Sequence, residues 1–226
     1  MIPQLSVIVP VYNEAGTIRQ ILEKINSVAV DKEIVVVDDG SSDGTDRILN
    51  EIKLENLKII HHSSNRGKGA AFLTGLANAS GEFVIIQDAD LEYDPEEYLK
   101  LIQTMKNDHL DIVLGARFLE GHHGLFIHRI GNKFLTGTLN FIFSSSLNDY
   151  ATCYKLIRKE TLESLKLCAK GFDIDVEIIC KAIKRNLRIK EVSIDYHPRT
   201  YRQGKKIRWN DAIWAVLYML RYRFCD

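Results

Sequence analysis

The chain has 226 residues, 46% of them hydrophobic, and its 30 basic side chains equal its 30 acidic ones. That length supports one sizeable core rather than two full domains, and a net charge of zero argues against a general nucleic-acid binder. The four cysteines (Cys153, Cys168, Cys180, Cys225) lack metal-ligand spacing, the N-terminus lacks a basic leader, and the longest apolar run, Ala212 to Leu220, is about half a membrane span, so a reduced, cytoplasmic chain without a span of its own is expected.

In chain order, Leu5 to Val11 is a near-continuous apolar run, the pattern of a strand covered on both faces. Asn13 is placed to cap a helix that carries Ile18, Ile21, Leu22 and Ile25 at helical spacing. Glu33 to Val37 predicts a second strand, ending at Asp38-Asp39-Gly40-Ser41-Ser42, and a helix through Ile48, Leu49 and Ile52 follows. Leu57 to Ile60 predicts a third strand, Gly67 to Ala79 a helix, and Glu82 to Ile86 a fourth strand. Asp94 and Pro95 read as cap and first turn of a helix through Leu99 and Ile102, and Asp111 to Gly115 closes the series as a strand. This alternation implies an α/β fold with a mostly parallel sheet flanked by helices.

After Arg117 the rhythm changes. The spacing predicts a loop at Gly121-His122-His123-Gly124, a helix from about Ile127 to Phe143, and a short segment around Cys153-Tyr154-Lys155. A helix near Asp175 to Lys184, a strand near Ile189 to Ile194 and a last helix follow. His122, His123 and His128 read as loop residues, because no carboxylate or thiol nearby completes a metal set.

In an open parallel sheet, ligands bind outside the carboxyl ends of the strands. Pro10-Val11-Tyr12-Asn13-Glu14, Asp38-Asp39-Gly40-Ser41, Asn65-Arg66-Gly67-Lys68-Gly69, Asp88-Ala89-Asp90 and Arg117 each follow a strand. Any one of them is ordinary turn chemistry; five at one sheet edge favour a composite site. Alternate side chains of a strand point the same way, so Asp88 and Asp90 are expected to project together and to share Mg²⁺ or Mn²⁺, completed by substrate phosphates. The glycine turn at 67–69 lets backbone N–H groups approach an anion at a helix start, with Lys68 adding charge. It is neither a Walker A motif, since glycine follows Lys68, nor a dinucleotide fingerprint, since Phe72 takes the place of the third glycine.

These motifs together resemble family 2 glycosyltransferases of the GT-A type, and among them the polyprenyl-phosphate sugar transferases, the group of dolichol-phosphate mannose synthase. The matching pieces are Val9-Pro10-Val11-Tyr12-Asn13-Glu14, Val37-Asp38-Asp39-Gly40-Ser41, Asn65-Arg66-Gly67-Lys68-Gly69, Asp88-Ala89-Asp90 and Gly115-Ala116-Arg117, in the family's order. Asp149 to Lys155 and Tyr196 to Ile207 are similar to bacterial relatives with less specificity.

The resemblance implies a single Rossmann-like GT-A domain over 1–226, with a nucleotide-sugar half at 1–117 and an acceptor half at 118–226. It implies that Pro10, Tyr12, Glu14, Asp39 and Lys68 bind the donor, and that Asp39 takes the base or ribose. Asp88 and Asp90 would hold the metal at the donor diphosphate. Where mannose synthases often carry a glutamine as a further ligand, this chain has Glu92. Arg117 and Arg129 would face the acceptor phosphate, with Lys133, Arg199 and Lys205 as further acceptor contacts.

The expected reaction is metal-dependent, inverting transfer from a UDP- or GDP-sugar to a polyprenyl phosphate at the cytoplasmic membrane face. A phosphate monoester is already largely anionic near neutrality, since its second pKa is about 6, and needs no general base. A sugar hydroxyl needs one; the candidates are Asp149, Asp175 and Glu177, of which the last two read first as a solvated helix face. The basic stretch Arg199, Arg202, Lys205, Lys206, Arg208, followed by Trp209, Ile213, Val216, Leu217 and Leu220, fits either an interfacial helix on an anionic membrane or a helix packed on the domain. A sugar-nucleotide pyrophosphorylase and a non-catalytic nucleotide-sugar sensor are the readings from other classes. No nucleic-acid partner is expected.

Overall fold

The β-branched runs become strands because burial on both faces of a central strand rewards continuous apolar sequence. In the computed structural model, which describes residues 3–119, 126–199 and 210–225, the strands are β1 (Leu5–Val11), β2 (Lys32–Asp38), β3 (Leu57–His61), β4 (Phe83–Ile86), β5 (Ile112–Ala116), β6 (Lys155–Arg158) and β7 (Ile189–Ser193). The helices are α1 (Ile18–Ser27), α2 (Thr45–Glu51), α3 (Lys68–Ala77), α4 (Glu97–Asn107), α5 (Phe126–Phe143), α6 (Lys159–Ser164), α7 (Ile174–Lys184) and α8 (Asn210–Phe224).

One seven-stranded sheet has the order β3-β2-β1-β4-β6-β5-β7. Every pairing is parallel except those of β6, which runs antiparallel to both β4 and β5. The chain leaves β1 toward β2 and β3 on one side and returns to β4 on the other, with Val9 opposite Val36 and Ile8 opposite Ile86. That reversal opens a crevice at the carboxyl ends of β1 and β4, the place where such sheets take ligands. One hydrophobic cluster runs from Leu5 through Phe83, Tyr98 and Tyr154 to Tyr222.

Two local expectations are corrected. Asn13 does not cap α1, which begins at Ile18 after Thr17. Asn13 instead adopts φ 54°, donates its N–H to Ser41 Oγ (2.9 Å) and accepts from the Ser42 N–H (2.8 Å), tying the loop after β1 to the loop after β2. Asp94 and Pro95 form a turn ahead of α4: their carbonyls accept the N–H groups of Glu97 and Tyr98, and Asp94 Oδ1 accepts that of Glu96. The segment at 153–155 leads into a strand, β6, that is only four residues long and carries a lysine at its start. Strong periodicity cannot develop over that length, so the sequence shows little of it.

Candidate active site

The aspartate pair sits in a turn and not on the strand itself. β4 ends at Ile86, and Gln87 makes the last link to β1 through its N–H and the Ile8 carbonyl (2.9 Å). Gln87 is fully buried. Its Oε1 accepts the hydroxyls of Tyr98 (2.5 Å) and Tyr154 (2.6 Å), while Nε2 donates to the Asp88 carbonyl (2.8 Å). A buried amide satisfied in this way fixes the backbone that carries Asp88. Asp90 Oδ1 accepts the Glu92 N–H (3.1 Å) across Leu91, whose φ is 65°. Turn chemistry, and not the pleat of a strand, brings Asp88 and Asp90 near each other.

Each aspartate faces one cation of the chain. Lys68 Nζ lies 2.8 Å from Asp88 Oδ1, and Arg199 Nη2 lies 2.7 Å from Asp90 Oδ2. Arg199 also reaches Glu14 (3.2 Å). Burial works to raise the Asp88 carboxyl, but the adjoining Lys68 outweighs it and holds it below its ordinary value. Burial, then the charges of Asp88 and Glu92, push Asp90 up to about 7 despite Arg199. Two half-buried carboxylates in a surplus of negative charge fit a hard divalent cation that keeps substrate phosphate and water oxygens in its shell. Among the described residues no three His, Cys, Asp or Glu side chains converge on one point. Glu92, the expected third ligand, is engaged elsewhere: its carboxylate accepts the Tyr196 hydroxyl (2.7 Å) and the Arg199 N–H (2.9 Å), anchoring the chain that delivers Arg199.

Asp39 and the glycine turn occupy each other. Asp39 accepts the N–H groups of Arg66 (2.9 Å) and Gly67 (2.8 Å) and pairs with His62 Nδ1 (2.7 Å), and it is almost fully buried. The turn that the sequence offers to a ligand anion thus holds the chain's own carboxylate. Gly67 and Gly69 are required by close packing: a Cβ on either would lie 2.4 Å from the carbonyl oxygen of Lys170 or Ala169, and Gly67 has φ +96°. Pro10 is half-buried in β1, Tyr12 is exposed, and Glu14 is near Arg199.

Arg117, at the end of β5, points into the protein. Its Nε and Nη2 grip both oxygens of Asp149 (2.8 and 2.7 Å), and its N–H adds a third bond (3.0 Å). The guanidinium also lies against the rings of Phe118 and Tyr196, 5.2 and 5.3 Å from their centroids. Burial would raise the Asp149 carboxyl, but Arg117 overrides it and holds it below its ordinary value. Arg129 is half-exposed and Lys133 exposed on α5. On the same helix, Asn132 Nδ2 and Thr136 Oγ1 are buried with no hydrogen-bond partner among the described residues. Lys205, with Arg202, Lys206, Arg208, Trp209, His122 and His123, lies outside the described residues.

Asp175 and Glu177 do not form a solvated helix face. Glu177 is fully buried and accepts the N–H groups of Cys168 (2.9 Å) and Ala169 (2.8 Å) and the ammonium of Lys181 (2.8 Å). Asp175 Oδ1 pairs with Lys155 Nζ at 2.6 Å, and its Oδ2 lies 3.8 Å from Lys68. Lys155 is completely buried and also donates to the Thr152 carbonyl. Sequence reading missed Lys155 and Gln87; the one available signal was their polarity inside otherwise apolar runs. It also missed an open cavity of about 400 Å³ beyond β2 and β3, lined by Asp38, Ser41, Asp46, Asn50, His61 and His62.

The chain is similar to known proteins in sequence and in fold. The chain is 32% identical over 204 residues to the low-salt glycan biosynthesis hexosyltransferase Agl6 of Haloferax volcanii, covering 87% of this chain and 48% of that protein. It is 30% identical over 210 residues to the dolichol-phosphate mannosyltransferase of Pyrococcus furiosus, covering 89% and 59%. It therefore spans about half the length of these relatives. Its fold matches that of glucosyl-3-phosphoglycerate synthase from Mycobacterium tuberculosis, solved with UDP, at a TM-score of 0.73 and 18% identity over 99% of this chain and 81% of that one. The S. aureus TarS 1-349 structure follows at 0.65 and 23%, over 98% and 72%. The fold is the GT-A arrangement expected from the motifs. With residues 6–166 matching the family's pattern, the chain belongs to glycosyl transferase family 2.

Proposed function

We propose that this chain is a metal-dependent, inverting glycosyltransferase that moves a sugar from a UDP- or GDP-linked donor to a polyprenyl phosphate at the cytoplasmic face of a membrane. The observation that carries this reading is how the carboxylates are divided. Asp88 and Asp90 lie together at the crevice, each held by a single cation. Asp149, Asp175 and Glu177 are each clamped by an arginine, a lysine or backbone N–H groups. Against the opposing effect of burial, these contacts hold the Asp149 and Glu177 carboxyls below their ordinary values, and Lys155 occupies one oxygen of Asp175, which together favour an acceptor that arrives already anionic.

Bound at Asp88 and Asp90, Mg²⁺ or Mn²⁺ supplies stabilisation of the charge that develops on the departing diphosphate. Pro10, Tyr12 and Glu14 line the donor side. Lys68 and Arg199 neutralise the aspartates. Arg117 supports the acceptor side by fixing Asp149 and the ring of Tyr196, and Arg129 and Lys133 draw the acceptor phosphate along α5. Two relatives support the acceptor class by name, the Pyrococcus protein above and the polyprenol monophosphomannose synthase of Mycolicibacterium smegmatis, 28% identical over 209 residues.

Membrane contact has a surface to account for it. No helix of the described residues is long and apolar enough to cross a membrane. α5 and α8 pack together, and among the described residues they carry eight of the twelve exposed large hydrophobic side chains, including Phe134, Phe141, Trp214, Leu217 and Phe224. α5 has no acidic residue, and Arg129, Lys133, Arg221 and Arg223 accompany the apolar stripes. Such a face suits an anionic bilayer surface. Replacing Phe134 and Trp214 together by Ser is expected to lower binding to vesicles containing anionic lipid by about ten-fold or more. Co-sedimentation unchanged by both substitutions would remove this face from the membrane contact.

The deciding assay combines the purified chain, Mn²⁺ or Mg²⁺, labelled UDP- and GDP-sugars and a short polyprenyl phosphate. Label is expected in the organic phase with one donor. Transfer only to sugar hydroxyls, pyrophosphate-dependent release of a nucleoside triphosphate, or donor binding without turnover would each replace the proposal by one of the other readings.

A further inference from the structure

Four charged groups from four elements form an alternating line beside the metal turn. Asp88, after β4, faces Lys68, the first residue of α3, at 2.8 Å. Lys68 lies 3.8 Å from Asp175 Oδ2 on α7. The other oxygen of Asp175 is held at 2.6 Å by Lys155 of β6, whose side chain is completely buried. Lys155 is pinned further by the Thr152 carbonyl. Lys68 is therefore the one member of the line with two carboxylates within reach, one at contact distance and one about 1 Å beyond it.

The cation that the proposed function places at Asp88 and Asp90 would meet Lys68 already there. Two cations on one carboxylate repel strongly at such distances, and more so where burial lowers the dielectric. A lysine ammonium is a compact charge on a flexible stem and can change partner by rotation about its terminal bonds. Asp175 Oδ2 is the acceptor in place to receive it, because Lys155 holds only Oδ1.

We propose that Asp175 is a positioning residue that receives Lys68 when a divalent cation takes Asp88, so that Asp175 sets metal affinity through Lys68 instead of acting as a general base. This inference rests on the metal-site part of the proposed function. It deepens that site by giving the chain a place to put the charge that the metal displaces.

The test is Mn²⁺ binding, followed by electron paramagnetic resonance of free Mn²⁺ at fixed pH and ionic strength, with and without UDP. Asp175→Asn leaves Lys68 with Asp88 alone and is expected to weaken Mn²⁺ binding about ten-fold. Lys68→Met in the same background is expected to restore it to the wild-type level or tighter. Lys68→Met alone is expected to bind Mn²⁺ at least about three-fold more tightly than wild type.

A purely structural role for Asp175 predicts no rescue by Lys68→Met, and a general-base role predicts wild-type Mn²⁺ affinity in Asp175→Asn. Either result overturns the inference while the metal site stands. If Asp175→Asn does not fold, as judged by its melting transition, Lys68→Met alone decides: tighter binding supports the exchange, and unchanged or weaker binding overturns it. A wild-type chain that binds no Mn²⁺ with or without UDP would overturn the metal reading, and this inference with it.

Discussion

Asp90→Asn is expected to keep the fold and lose transfer by about three orders of magnitude. The substitution is nearly isosteric, and the amide oxygen can still accept the Glu92 N–H that closes the turn. What disappears is the charge that faces Arg199 and that, with Asp88, fits the cation. Stability should respond in the opposite sense. A carboxyl whose folded-state value stands at about 7, pushed there by burial and by Asp88 and Glu92, is costly to ionise in the folded chain. Such a group lowers stability at any pH above its unfolded value. Removing its charge should leave the melting temperature at neutral pH unchanged or raised. Turnover, Mn²⁺ binding and thermal melting on one preparation check all three. Retention of more than about a tenth of wild-type turnover would show that Asp90 does not carry the chemistry.

Asp149→Ala is expected to destabilise the fold by about 3–5 kcal/mol in urea denaturation, because it strands a buried guanidinium. Asp149 has no solvent exposure and takes three bonds from Arg117. Removing both partners, as Arg117→Met with Asp149→Leu, should cost less than the single change, since no uncompensated charge is left inside. The pair also fixes an acid limit. Arg117 holds the Asp149 carboxyl below its ordinary value of 3.8 against the opposing effect of burial. A carboxyl depressed in the folded state contributes stability that is complete above its unfolded value and is lost as pH falls through the folded one. Wild type should therefore lose stability steeply below about pH 4, and the double variant less steeply. A loss under about 1 kcal/mol in Asp149→Ala would mean that Arg117 finds another partner or leaves the interior.

How the site could be read differs from residue to residue. The strands at 5–11, 32–38 and 83–86 were legible because burial on both faces writes itself as a local apolar run. Asp88 and Asp90 were legible as a pair, but for an incomplete reason. Their approach depends on a turn at Leu91 with positive φ and on the buried amide of Gln87, neither of which alternation describes. Asp39 is assigned to the donor through the family resemblance, and its partners within the chain could not be read from its neighbours in sequence. The fold brings Arg66 and Gly67 onto it from 27 and 28 residues away.

The sequence by itself determined the class of fold, the edge of the sheet at which the candidate site residues gather, and the residue types suited to a divalent cation. Those properties follow from neighbours in the chain, through periodicity and turn preference. Only the tertiary structure decided which charge answers which. Glu14 and Arg199 meet across 185 residues, Lys155 enters the interior to hold Asp175, and Arg117 turns inward to Asp149. Such pairings arise because a charge taken out of water must find its partner wherever the topology places one, and distance along the chain carries no record of that choice.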